Sequence, residues 1–364
     1  MTSQISVPGR DAPDTPRMTA ARIHAHGGPE VLTVDRVPVP EPAAGHVRVR
    51  VTAAALNNTD LWTREGAYGI RGDHPSPAGW IGPIDFPRVQ GGDAAGVVDA
   101  VGEAVHDSLI GARVVVDPAT YDGPGDHALP ARILGSEYDG AYAEYVVVAA
   151  DAVHRVDSSP LDDAQLAALP IAYGTAMGMI ERGGIASGDT IVVTGASGGV
   201  GIALVQLGVA RGAEVIAICS AGKADGVRDA GATHIVDRAG DAWAHVGRIA
   251  PDGVAAVLDV VAGTNVRAGV PHLRPGGRWV VAGALGGHDI DIDVRTLYLR
   301  NLSIVGSTMH TRPHFRALID LARNGAVRPL IAQTFPLTEV HRAQEELGSR
   351  RHVGKLVLLP GGGA

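Results

Sequence analysis

Residues 190–211 read TIVVTGASGGVGIALVQLGVAR, and this stretch decides the fold. An apolar run, 190–194, ends at Thr194-Gly195-Ala196-Ser197-Gly198-Gly199-Val200-Gly201, and an apolar helical pattern follows over 199–211. Glycine lets a backbone approach a pyrophosphate closely, and the helix start offers unpaired N–H groups to it. A glycine-rich turn between strand and helix signals a dinucleotide site when it lies in a β-α-β succession. The bland alternative is a tight turn and nothing more.

The succession is present. Downstream strands are expected over Glu214–Cys219, 234–236, 254–260 and 278–283, with helices over 223–230, Ala242–Ile249 and 264–272. A further strand is expected over 302–306. Such alternation means a parallel sheet with helices on both faces, an α/β fold of doubly wound type. Two helices over 162–169 and 174–181 precede it. Two more, over 314–324 and 337–347, follow it before a last strand at Lys355–Leu359. The uncharged run 191–210 is long enough to raise a membrane span, but its five glycines and its split into strand and helix argue against one.

The second strand bears on the choice of dinucleotide. NAD sites usually end it with an acid that binds the ribose 2′-hydroxyl. Here Ile218-Cys219-Ser220-Ala221-Gly222-Lys223 has none. Ser220, Lys223 and, beyond the third strand, Arg238 offer donors to a 2′-phosphate, so the expected cofactor is NADPH. Lys223 otherwise reads as a solvated residue at a helix start, a place where the dipole disfavours a cation without an anion nearby.

Working outward, the first half of the chain reads as β-rich, until the pattern changes near Leu161. Val47, Val49 and Val51 alternate with arginines, and strands are expected over Ala95–Val101, 112–116 and 142–148. Residues 69–87 and 117–140 are read as long, turn-rich loops. Residues 1–17 carry three prolines and no apolar run; they read as a disordered tail, neither signal peptide nor anchor.

Composition narrows the classes. The 364 residues are 45% hydrophobic and 19% charged, enough for a full core. A net charge of −8 speaks against nucleic-acid binding. The lone Cys219 rules out an intrachain disulfide framework or a cysteine-rich zinc site and suits a cytoplasmic protein. Of 31 basic residues only Lys223 and Lys355 are lysines.

From residue 18 onward the order of parts resembles the medium-chain dehydrogenase/reductase superfamily. The resemblance is carried by GGPEVLTVDRVPVPEPAAGHVRVRVTAAALNNTD, FPRVQGGDAAGVVDAVGEAV, DGAYAEYVVV, the glycine-rich stretch and the closing HVGKLVL. It implies a GroES-like, β-rich catalytic domain over 18–158, a Rossmann domain over 159–307 and a return to the catalytic domain over 308–364. Zinc-dependent members place a cysteine where Asn57 stands, and Gly-His-Glu where Gly91-Gly92-Asp93 stands. No cysteine precedes Cys219. The sequence is thus similar to the zinc-free NADPH:quinone oxidoreductase group, whose members reduce quinones or conjugated enones and often dimerise.

The resemblance assigns Asn57 and Tyr68 to the catalytic cleft. Together with the reading of the glycine-rich turn and the second strand, it gives Asn57, Thr175, Gly198, Gly199, Val200, Ser220, Lys223, Arg238, Val261, Ala282 and Lys355 as cofactor residues, and no residue for a metal. The group often has a second tyrosine where Trp62 stands here; Trp62 reads as wall. Other readings stand beside these. Asn57, with Asp60 three residues on, can cap a short helix. Tyr68 can be a packed loop residue and Thr175 a hydroxyl at a helix start, and His310 either reaches the cleft mouth or is, as expected here, a surface histidine. Lys355 either meets a cofactor phosphate or closes the last strand. The expected partners are a small quinone or enone and a second copy of the chain, paired through the edge strand 302–306. Two further functions remain open: a dedicated enoyl or enone reductase of biosynthesis, and a protein that holds NADPH without turnover.

Overall fold

The computed structural model describes residues 15–68 and 78–361. Six parallel strands form the nucleotide sheet. Its order is His234–Asp237, Glu214–Cys219, Thr190–Val193, Val254–Asp259, Leu273–Val281, Ser303–Gly306. Strand order reverses between Thr190–Val193 and Val254–Asp259, so the crevice beyond their carboxyl ends is where an open α/β sheet binds its ligand. The glycine-rich turn lies at that point, and the helix Gly199–Ala210 starts from it. This helix is apolar on almost every side because it is covered on almost every side; Ile202, Ala203, Leu204, Val205 and Leu207 are all buried. The uncharged run 191–210 is thus part strand, part turn and part helix. Among the described residues, no helix is long and apolar enough to cross a membrane.

The second sheet has seven strands, mostly antiparallel. Val153–Arg155, Arg113–Val116, Ala95–Val101, His46–Ala55, Lys355–Leu359 and Ile331–Pro336 lie in that order, and Tyr145–Ala149 also pairs with His46–Ala55. The C-terminal strand therefore closes onto an N-terminal one, through Val357 opposite Ala55 and Leu358 opposite Ala54. A small third sheet joins Leu32–Pro38, Arg17–Ile23 and Arg88–Val89.

Several expectations need correction. The tail expected over 1–17 falls on residues 1–14 outside the described residues, and Arg17 already pairs with Pro38 in a strand. Of the loop 69–87, residues 69–77 lie outside the described residues. The turn-rich stretch 117–140 holds a two-stranded ribbon, Ala119–Tyr121 with Pro130–Ile133. The strand expected over 278–283 runs from Leu273 to Val281, because its first half pairs through Leu273 beside Val254 in spite of Pro275, Gly276 and Gly277. The strands Leu32–Pro38 and Ile331–Pro336 were not expected; prolines flank or end both, which masks the alternation.

Candidate active site

At the nucleotide turn, Gly195 adopts φ +57°, a left-handed conformation open mainly to glycine. Its Cα faces the Val260 and Val261 side chains. Gly201 packs so closely on Gly195 that a Cβ there would overlap the Gly195 carbonyl oxygen. Gly198 caps the helix with its own amide on the Gly195 carbonyl at 3.1 Å, and Gly199 and Val200 open it, so the N–H groups of these two are free for an anion. Beneath the turn Asp259 is fully buried and accepts four donors. These are Thr194 Oγ1, the Val261 amide at 2.8 Å, the Ala262 amide at 3.0 Å and Trp279 Nε1 at 2.9 Å. It ties the glycine-rich turn to the 260–263 loop, where Ala262 is held at φ +55°. The Ala282 amide donates to the Asp259 carbonyl at 3.0 Å, which places Ala282 at the same rim.

At the end of the second strand, Ser220 precedes a short helical turn holding Lys223. Lys223 Nζ donates to the Arg350 carbonyl at 2.6 Å. Burial and the nearby Arg238 guanidinium together push its pKa down. Two cations thus face each other here. The neighbouring strand ends in Asp237, whose carboxylate turns onto the Ala239 amide. The Gly354 amide donates to the Ser197 carbonyl at 3.0 Å, so residues 350–354 link Lys223 to the glycine-rich turn.

On the catalytic side, Asn57 caps the helix Asn58–Glu65, with Asp60 completing a capping box. The capping reading of Asn57 is therefore what the backbone shows. Its side chain turns inward as well: Nδ2 donates to Asp93 Oδ2 at 2.8 Å, and Oδ1 accepts from Lys355 Nζ at 2.5 Å. Tyr68 donates to Thr59 Oγ1 at 2.7 Å and meets the Trp62 ring edge-on. Burial and the Asp60 and Glu137 charges push its phenol pKa up despite the Thr59 contact, so it stays protonated. Thr175 lies in the first turn of the helix Gly174–Arg182, its Oγ1 4.0 Å from Met309 Sδ.

Lys355 is buried. Its ammonium donates to the Leu56 carbonyl at 2.6 Å, to Asn57 and to Asp93 Oδ2 at 3.2 Å. Only its stem touches the nucleotide turn; Cδ would lie 2.8 Å from a Cβ on Gly199. The expected phosphate contact through Lys355 is thus not what the geometry gives, because three inward oxygens hold the ammonium. Asp93 Oδ1 also accepts the Ile171 amide at 2.7 Å. Burial pushes the Asp93 pKa up, opposed by Lys355, Asn57 and the Ile171 amide. His310 is no surface residue: it is fully buried, and Nε2 lies 3.0 Å from Asp117 Oδ1. Burial raises the Asp117 pKa, but His310, the Ala119 amide and the Tyr121 hydroxyl more than offset this and hold it low.

The fold family implies a metal in some members, and the residues here do not fit one. Where a thiolate would ligate stands a carboxamide already bonded to an ammonium, and Gly92 brings no ligand. Among the described residues no group of three or more His, Cys, Asp or Glu could hold a metal ion. For a dinucleotide the fit is good. The turn, the helix start and the 260–263 loop converge at the switch point.

Sequence reasoning missed Thr59, Asp259 and the inward commitment of Asn57 and Lys355. Asp259 lies next to the end of the strand expected over 254–260 and was findable by asking what supports the turn. The partners of Lys355 lie 262 to 299 residues away in sequence and leave no local signal.

Such an arrangement defines a pyridine-nucleotide-dependent oxidoreductase built from a GroES-like and a Rossmann half. A family profile described as "Alcohol dehydrogenase GroES-like domain" matches residues 43–158, and one described as "Zinc-binding dehydrogenase" matches 199–324. The chain is 30% identical to a mouse (Mus musculus) quinone oxidoreductase, over 94% of this chain and 98% of that one. It is equally similar, over the same shares, to a 2-haloacrylate reductase of a Burkholderia species. A solved protein from Sinorhizobium meliloti 1021, provisionally called an alcohol dehydrogenase, is 42% identical with TM-score 0.91, covering 96% of this chain and 98% of that one. The chain belongs to the medium-chain dehydrogenase/reductase superfamily, in its quinone oxidoreductase-like branch.

Proposed function

We propose that the protein is a zinc-independent reductase that uses NADPH to reduce a quinone or a conjugated enone. The observation that carries this reading is the Asn57–Asp93–Lys355 cluster. An ammonium takes up the oxygens there, which leaves no Lewis acid for oxidising an alcohol. When bound, the cofactor supplies hydride to an electron-poor carbon. The chain's own residues then seat the reactants and shield them. Gly199 and Val200 present amides to the pyrophosphate, and Gly198, whose own amide is held by the Gly195 carbonyl, lets it approach. Ser220, Lys223 and Arg238 receive the 2′-phosphate, which replaces the Arg350 carbonyl as partner of Lys223. Thr59 and Tyr68 form a hydroxyl pair that offers a hydrogen bond to the substrate oxygen as charge develops on it. The proton that completes reduction comes from solvent through the cleft.

The similarity to a 2-haloacrylate reductase supports activated alkenes as acceptors beside quinones. The protein acts in the cytoplasm as a homodimer paired along Ser303–Gly306. The test is a titration of NADPH and NADH against wild type and Lys223→Ala, followed by turnover on a quinone and enone panel. A charge-assisted phosphate contact contributes roughly 1.5–3 kcal/mol, so Lys223→Ala should weaken NADPH about ten- to hundredfold and leave NADH nearly unchanged. Equal weakening of both cofactors sinks the phosphate assignment. Tight NADPH binding without turnover on any acceptor sinks the reductase.

A further inference from the structure

Lys355 is one of two lysines in a chain with 29 arginines, and its side chain is almost wholly enclosed. Its three ammonium protons meet three oxygens: the Leu56 carbonyl, Asn57 Oδ1 and Asp93 Oδ2. A flat guanidinium cannot direct donors at three converging oxygens, whereas a compact ammonium can. The oxygens come from two distant segments. Leu56 and Asn57 lead into the helix that carries Thr59 and ends shortly before Tyr68. Asp93 reaches onward to the Ile171 amide and also holds Asn57 Nδ2, so both ends of the Asn57 carboxamide are fixed. The lysine stem lies under Gly199, and Gly354 is bonded to Ser197 in the nucleotide turn. One residue therefore touches the seat of the dinucleotide and the start of the substrate-side helix.

We propose that Lys355 is a positioning residue, the resident cation of a three-oxygen cage that sets the substrate-side helix against the nucleotide turn. This inference rests on the reductase reading above. Hydride transfer depends on the distance between the two seats, and a displacement near 1 Å costs about a hundredfold in rate. Binding of the dinucleotide alone depends mainly on the turn. Loss of the ammonium should therefore lower kcat far more than it weakens the cofactor.

The experiment uses Lys355→Ala with and without propylammonium, which matches the atoms removed. The expected result is a kcat lowered roughly ten- to hundredfold, an NADPH Kd within about threefold of wild type, and recovery of kcat by propylammonium but not by neutral propanol. A wild-type kcat, or a loss that propylammonium does not repair, overturns the proposal. Should Lys355→Ala fail to fold, Lys355→Met with Asp93→Asn removes both charges together, and the same split of kcat from Kd is expected. Full kcat in that pair, or failure of both proteins to fold, assigns the lysine to stability alone and overturns the proposal. A wild type that turns over no acceptor defeats the reductase reading instead. The cage is then judged by whether propylammonium raises the Tm of Lys355→Ala, and no rise overturns it.

Discussion

Asp60 is nearly sealed from solvent, with Oδ2 accepting the Tyr142 hydroxyl at 2.6 Å and the Asn57 amide at 2.7 Å. Burial pushes its pKa up to about 6, although both donors and Lys355 oppose the rise. The folded state thus binds this proton more tightly than the unfolded chain does. Its contribution is fully present below the unfolded pKa near 4 and is lost as pH rises through about 6, a change of roughly 3 kcal/mol. Asp60→Asn keeps an acceptor for both donors and removes the charge. We predict a variant more stable than wild type at pH 7.5, by up to about 3 kcal/mol, with little pH slope between 4 and 6. Urea unfolding at pH 4.5 and 7.5 measures both quantities. A variant less stable than wild type at pH 7.5 contradicts the account. Single residues were legible in the sequence where their partners are close in the chain. Asn57 and Asp60, three residues apart, announced a cap, whereas the bond from Lys223 to the Arg350 carbonyl, 127 residues on, left no signal. His310 was misread because Asp117, its partner, lies 193 residues away.

Among the elements, the nucleotide turn and its helix depend on contacts too close for a side chain. Gly201→Ala would drive a methyl group into the Gly195 carbonyl and the Ala196 backbone. The turn must open to admit it, at a cost of about 1–3 kcal/mol. We expect a lowered Tm and NADPH binding weakened at least about tenfold, whereas Gly222→Ala, which meets nothing within 4 Å, should change neither. Thermal unfolding and cofactor titration decide it; wild-type binding by Gly201→Ala removes the close approach as a requirement. This element was readable because its signal is local. The wide π-type turn Leu169–Tyr173 was not: the expected helices 162–169 and 174–181 left residues 170–173 between them unassigned, while the structure uses this turn to aim the Ile171 amide at Asp93.

For the whole molecule, the edge strand Ser303–Gly306 leaves Ile304 40% exposed, and the adjacent helix Val294–Leu299 exposes Val294, Tyr298 and Leu299 by more than 60% each. A patch of that kind beside an unpaired strand edge suits a two-fold pair. We predict a light-scattering mass twice the 37.4 kDa of one chain at micromolar concentration, and a shift toward monomer in Ile304→Lys. A monomeric wild type ends the dimer proposal. Architecture at this scale was legible from the alternation of strand and helix patterns, which is periodic and needs no partner. The seven-stranded sheet was only partly so, because its order depends on pairing between residues some 300 positions apart.

That pairing has a consequence for how the molecule is made. Ala54 and Ala55 wait for Val357 and Leu358, which are synthesised some 300 residues after them. The nucleotide half, contiguous in sequence, can fold as a unit while the other half is still unfinished. Until that strand arrives, the alanine-rich end of His46–Ala55, beyond the stretch that Tyr145–Ala149 covers, presents an open edge to every neighbouring nascent chain. The strand that covers this edge also delivers Lys355. A chain released short of it would lack both the cover and the cation, so cleaved or prematurely terminated products are expected to aggregate and not to survive as slow enzymes.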